Sequence, residues 1–157
     1  MRADEVEALY NQFAPAVHRR AKQLLGNSPD AWDAVQEVFE RMLTAGTEFR
    51  RAARPMTWLY RITTHVCLNR LRSAKVRATE PDASEDVARA DDSVEARNTL
   101  RAWLAKLEPR EVEVAVLLYM DGLSQDEAAQ VLGVSRKTVV RDVDAMREKL
   151  GAESTHD

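Results

Sequence analysis

Ser124-Gln-Asp-Glu-Ala-Ala-Gln-Val-Leu-Gly-Val-Ser-Arg-Lys-Thr-Val-Val-Arg-Asp-Val-Asp-Ala-Met-Arg-Glu-Lys-Leu150 carries the strongest local structural signals in the chain. Ser124 followed by Glu127 is a capping-box signature, so a helix is expected over 125–132. Ala128, Ala129 and Leu132 fall on its inner face, and small Ala129 permits a close helix crossing. Gly133 tolerates the positive φ of a tight turn. Ser135 is an N-cap for a second helix over 136–150, whose Val139, Val143 and Met146 recur at helical spacing. This is the helix-turn-helix pattern. Its second helix can enter the major groove by its N-terminal end. Ser135, Arg136, Lys137, Thr138 and Arg141 occupy that end and its exposed face, and their donors suit phosphates and base edges. A plain helical bundle, or a helix-turn-helix used for protein contact, would show the same small residues at the crossing.

Working outward, prolines and glycines punctuate a chain that reads as helix throughout. Helices are expected over 4–25, 29–45, 55–76, 94–107 and 109–121. Ser28 is the candidate N-cap of the second. The stripe Val35, Val38, Phe39, Met42 and Leu43 faces inward there, and Trp58, Leu59, Ile62, Val66 and Leu71 do so on the third. Val112-Glu-Val-Glu-Val ahead of Asp121-Gly122 imitates a hairpin strand. No matching strand follows Gly122, so helix is expected. The fold class is therefore all-α.

The whole chain has 157 residues with 23 Lys+Arg against 26 Asp+Glu, and a pI near 5.7. That balance is unlike a basic nucleic-acid binder, whose pI often exceeds about 9. The charge is unevenly placed. Residues 1–79 carry 13 Lys+Arg against 8 Asp+Glu, whereas residues 80–95 hold Arg89 against seven acids. That acidic stretch, Glu80-Pro-Asp-Ala-Ser-Glu-Asp-Val-Ala-Arg-Ala-Asp-Asp-Ser-Val-Glu95, has few large apolar residues and is expected to be a flexible linker. Two small helical domains, 1–79 and 96–157, would flank it.

Several classes fall away. The longest apolar run, Val114 to Met120, is far short of the roughly 20 residues that span a bilayer. A signal peptide is not expected behind Asp4, Glu5 and Glu7, so the compartment expected is the cytoplasm. Cys67 is a single cysteine, and His18, His65 and His156 lack ligand-type spacing. No nucleophile–base pair, metal cluster or phosphate-binding glycine loop is apparent. Neither an enzyme nor a cofactor or small-molecule substrate is expected.

The N-terminal half carries a specific resemblance. Asp30-Ala-Trp-Asp-Ala-Val-Gln-Glu-Val-Phe-Glu-Arg41 resembles the second helix of sigma region 2. Met56-Thr-Trp-Leu-Tyr-Arg-Ile-Thr-Thr-His-Val-Cys-Leu-Asn-Arg-Leu-Arg72 resembles the helix that follows it in extracytoplasmic-function (ECF) sigma factors. Leu107-Glu-Pro-Arg-Glu111 and the helix-turn-helix resemble sigma region 4. The resemblance covers nearly everything except the linker and the tail. It implies a promoter-specificity subunit of bacterial RNA polymerase. Region 2 (1–79) would dock on the polymerase and open the minus-ten element. Region 4 (96–157) would bind the minus-thirty-five element and the polymerase beta flap.

The residue roles implied are these. Asp33, Gln36, Glu37 and Glu40, opposite the apolar stripe, match the face that docks on the beta-prime clamp helices. Phe49, Arg50, Arg54, Arg61, His65, Asn69, Arg72 and Lys75 match a surface that grips the melted minus-ten strand. Many family members have Asn at the position of His65. An anti-sigma factor is an expected partner. Family members often carry basic residues at Val140 and Asp142. Asp142 and Asp144 would repel phosphates if they faced DNA; they are expected to pair with Arg141 or Lys149 on the same helix, or to face elsewhere. A LuxR-like helix-turn-helix regulator is the alternative, since Leu107-Glu-Pro-Arg-Glu111 and Gly122-Leu-Ser124 fit that family too. The N-terminal half lacks the alternating strands and acidic phosphoacceptor pocket of a receiver domain.

Overall fold

The first helix, α1 (Ala3–Leu25), starts with Asp4 and Glu5 and ends with Lys22, charges that complement the helix dipole. Phe13, Val17, Ala21 and Leu24 form its buried stripe. It ends at Gly26, whose φ of 88° lets its N–H bond the Lys22 carbonyl at 2.8 Å. The computed structural model describes residues 3–46, 54–73 and 87–154. Among these residues there are helices and turns and no strand. Among the described residues, no helix is long and apolar enough to cross a membrane.

Helix α2 (Ser28–Thr44) is capped by Asn27, not by Ser28. Asn27 Oδ1 accepts the Asp30 N–H at 2.9 Å, and its Nδ2 donates to Asp30 Oδ2 at 2.7 Å. Ser28 is drawn away: its hydroxyl lies 3.1 Å from His18 Nε2 on α1. Pro29 sits in the first turn, where its missing N–H has no partner to lose. Helix α3 (Pro55–Arg72) again begins at proline.

These three helices pack pairwise into one bundle. Val17, Ala21, Leu24, Ala34, Val35, Val38, Met42, Leu59, Val66 and Leu68 are its apolar centre. Each large side chain buried there contributes about 1.5–3 kcal/mol. On α3 the buried face differs from the expected one. Leu59, Thr63, Val66 and Cys67 turn inward, while Trp58, Ile62 and Leu71 are half-buried. The threonines can go inside because their hydroxyls bond their own helix, Thr63 to the Leu59 carbonyl and Thr64 to that of Tyr60.

The chain forms two compact units, Met1–Ala90 and Asp91–Asp157. Helix α4 (Val87–Lys106) begins inside the segment expected to be a flexible linker. Residues 87–95 are therefore helical, a correction to that expectation; residues 80–86 lie outside those described. The reason is composition: no proline or glycine interrupts the chain between Pro81 and Pro109, and Ala88, Arg89, Ala90 and Ala96 favour helix.

In the second unit, Glu108 and Glu111 form a capping box that starts α5 (Pro109–Ala115). Val112 and Val114 are buried in this helix, which sets aside the strand imitation. The expected helix to residue 121 finishes as a π-helical turn, Val116–Met120, closed by Asp121 N–H to the Val116 carbonyl at 3.0 Å. Helix α6 (Gln125–Leu132) carries the Ser124–Glu127 capping box. Gly133 follows at φ 68°, and α7 (Arg136–Ser154) completes the motif. Both α5 and α6 pack on α7. Ala128, Ala129, Leu132, Val139, Val143 and Met146 are all buried at that junction.

Candidate functional site

Packing one face of α2 against α1 and α3 leaves the other edge to solvent. Asp33, Gln36 and Glu40 are exposed there, and Gln36 Nε2 donates to Glu40 Oε1 at 3.4 Å. Glu37 is half-buried. It pairs with Arg70 of α3 at 3.4 Å, and Arg70 Nη2 reaches the Asp33 carbonyl at 3.5 Å. The acidic edge is therefore one carboxylate weaker than its composition suggests. A groove of about 500 Å³ runs beside it, lined by Glu37, Glu40, Arg41, Thr44, Trp58 and Ile62.

Trp32 was not singled out from the sequence. It is 46% exposed and stacks on His18 with ring centroids 4.0 Å apart. Its place one turn before Gln36 on the same face was the signal available. Burial lowers the His18 pKa, opposed by a hydrogen bond with the Ser28 backbone and reinforced by the Lys22 charge.

The basic set on α3 is a stripe. Arg61, His65 and Asn69 are exposed and spaced four residues apart, so they stand on one face, with half-buried Arg72 following. His65 Nε2 lies 3.2 Å from Asn69 Nδ2, and Arg72 Nη1 donates to Asn69 Oδ1 at 3.3 Å. His65, Asn69 and Arg72 are thus held as one hydrogen-bonded row, with Arg61 one turn before it. Arg54 is exposed at the N-cap position. Phe49, Arg50 and Lys75 lie outside the described residues.

Behind this row, Arg20 of α1 is almost fully buried. Its Nε and Nη2 donate to Thr64 Oγ1 at 3.3 Å, Nη1 donates to Gln23 at 3.0 Å, and the guanidinium lies 4.4 Å from the Tyr60 ring centre. It ties α1 to the turn of α3 that carries His65. Nearby Cys67 is buried, which pushes its thiol up to about 12 against the pull of Arg20 and Arg70. Such a thiol stays protonated and unreactive.

In the second unit, the α7 N-terminus is built as expected. Ser135 Oγ accepts the Thr138 N–H at 3.2 Å and lies 3.0 Å from the Thr138 hydroxyl. Arg136, Lys137 and Arg141 are exposed. Arg136 stands 3.5 Å from Asp126, both largely in solvent. Asp142 does not pair along its own helix. It meets Arg110 of α5 at 2.8 Å, and Lys149 meets Glu111 of α5 at 2.6 Å. Asp142 thus follows the other expectation and turns elsewhere, with neither Arg141 nor Lys149 as its partner. A residue at 142 leans toward α5, and Arg110 is the nearest cation there. Burial raises the Glu111 pKa, but its bonds to Lys149 and to the Glu108 N–H outweigh it and hold the carboxyl below its usual range.

Residues 9–77 match the family described as sigma-70 region 2, and residues 68–156 match the ECF sigma factor family. The ECF RNA polymerase sigma factor SigM of Mycobacterium tuberculosis is 32% identical over 136 residues, spanning 85% of this chain and 68% of SigM. SigW of Bacillus subtilis, also an ECF RNA polymerase sigma factor, is 30% identical over 88% of this chain and 82% of its own. Among solved structures, CnrH in complex with the cytosolic domain of CnrY superimposes with a TM-score of 0.56 at 27% identity, covering 99% of this chain and 91% of CnrH.

Proposed function

This chain belongs to the ECF sigma factor family, and from that membership we propose which of its surfaces performs each step of promoter use. It binds core RNA polymerase and directs promoter-specific transcription initiation. The LuxR-like alternative has no support, since the N-terminal bundle matches sigma region 2.

The observation that carries the division of labour is the separation of charge within the first unit. The acidic edge of α2 (Asp33, Gln36, Glu37, Glu40) offers a docking face for the clamp helices of the beta-prime subunit, whose approach charge complementarity would steer. The α3 row of Arg61, His65, Asn69 and Arg72, with Arg54 at its start, holds the separated strand of the minus-ten element through basic groups and ring faces. Phe49, Arg50 and Lys75 are assigned to the same surface from the sequence. In the second unit the α7 N-terminus, with Ser135, Arg136, Lys137, Thr138 and Arg141, enters the minus-thirty-five major groove. The same unit contacts the beta flap.

The domains are proposed as 1–79 and 96–157, joined by 80–95, with no catalytic group of its own. An anti-sigma factor is the proposed regulatory partner; the CnrH complex with the cytosolic domain of CnrY supports such an arrangement. Run-off transcription with core polymerase tests the reading. The wild-type chain should produce a promoter-dependent transcript. Arg61→Ala with Arg72→Ala should keep core binding and lose promoter opening. Tight duplex binding without core, and no transcript with it, would overturn the proposal.

A further inference from the structure

On α7, Val139, Val143 and Met146 are buried, while Thr138, Asp142 and Ala145 are half-buried. The face left to solvent is Arg136, Lys137, Val140, Arg141 and Asp144. Val140 is its only apolar member, at 37% exposed. A β-branched residue at an exposed helical position neither buries its methyls nor favours the helix. The residue two places on, Asp142, is drawn off this face by Arg110, so its carboxylate does not offset the apolar spot. Cations at Arg136 and Lys137, one turn before the valine, and at Arg141 beside it would hold the helix against phosphates, with the exposed Asp144 one turn beyond it.

We propose that Val140 is a specificity-determining residue that packs on the C5-methyl of a thymine in the minus-thirty-five element. The inference rests on the proposed entry of α7 into the major groove. There the thymine methyl is the one apolar group on any base edge, and only a short apolar side chain can cover it without stranding a polar group. A cation at this position would read guanine or phosphate, so Val140 changes the preferred base rather than removing readout. Arg136, Lys137 and Arg141 position the helix, and Val140 selects an A·T pair beneath it.

The test uses the full chain assembled with core polymerase and a promoter fragment selected by that holoenzyme from a randomised library. Each thymine of the selected upstream element is replaced in turn by deoxyuridine, which removes the methyl and nothing else. One substitution should weaken wild-type binding about fourfold, the worth of one buried methyl-sized group. Val140→Ala should bind the thymine promoter with a similar loss and be indifferent to deoxyuridine. Val140→Thr, which keeps one methyl, should retain part of the sensitivity. A selected element with no A·T pair, deoxyuridine silence at every position, or equal sensitivity in Val140→Ala would overturn the proposal. Lys137→Ala separates the two layers. If it weakens binding while every deoxyuridine is silent, only the methyl contact fails; if it changes nothing, the entry of α7 into the groove fails as well.

Discussion

Removing the Lys137 side chain should change how promoter binding responds to salt, by an amount set by the charges around it. Each phosphate neutralised by a cation releases condensed counterions, and log affinity falls with log salt by about 0.9 per phosphate. Among the described residues, Lys137 and Arg141 have no acidic partner on the exposed face, whereas Arg136 stands 3.5 Å from Asp126. Asp142 is neutralised by Arg110. Lys137→Ala should therefore lower the slope by about 0.9, so that raising salt from about 50 to 200 mM weakens the variant about 3.5-fold less than the wild type. Arg136→Ala should lower the slope by less, because part of the Arg136 charge is already neutralised by Asp126. Asp126→Ala should strengthen binding by freeing Arg136. The measurement is holoenzyme affinity for a labelled promoter duplex across a salt series. Parallel lines for Lys137→Ala and wild type would show that α7 does not meet phosphates. A drop for Arg136→Ala equal to that for Lys137→Ala would show that the Asp126 pair has no effect.

Three further outcomes follow from other contacts. Arg20→Met keeps the buried stem but removes the hydrogen bonds to Thr64 and Gln23 and the ring contact with Tyr60; Thr64 retains its bond to the Tyr60 carbonyl, so the expected loss in urea unfolding is about 2–3 kcal/mol, and a loss under about 1 would mean the guanidinium is not a structural tie. Glu40→Lys should weaken core polymerase binding by about 1–2 kcal/mol, five- to thirtyfold, and Glu37→Gln by less because Arg70 already engages that carboxylate; a fluorescence titration with core giving the reverse order would refute the assignment. The Glu111 carboxyl is held below its usual range in the folded state, so its stabilising contribution is present above the unfolded value near 4.5 and is lost as pH falls through the lower folded value. Acid melts of Lys149→Met should therefore lose less stability over that window than the wild type, and identical curves would show that the Lys149 contact is not what holds the carboxyl down.

Much of the fold was legible because helix starts and stops are local. The Ser124–Glu127 box, the positive φ at Gly133 and the run Val139, Val143, Met146 each depend on residues within one or two turns, and each stands where the sequence suggests. The row Arg61, His65, Asn69 was legible for the same reason, as one face of a helix. Cap choice was less so. Asn27 and Ser28 are both good caps, and only the arrival of His18 from α1 takes Ser28 out of the competition. The linker reading failed over 87–95 because acidic composition does not exclude helix when proline and glycine are absent.

The residue pattern alone was enough to establish that this chain is helical and that it carries a capped helix-turn-helix with a basic leading edge. These follow from backbone preferences and a 3.6-residue period, which need no knowledge of the partner helix. Which charges remain available depends on how the helices pack. Arg70 takes Glu37 across 33 residues, Arg110 takes Asp142 across 32, and Lys149 takes Glu111 across 38. An ion pair forms where packing brings two side chains within reach, and that distance is set by how whole helices cross. The same packing turned Asp142 off the recognition face and left Val140 on it, so a face that looked compromised by two acids keeps only Asp144 beside its three cations and one apolar residue.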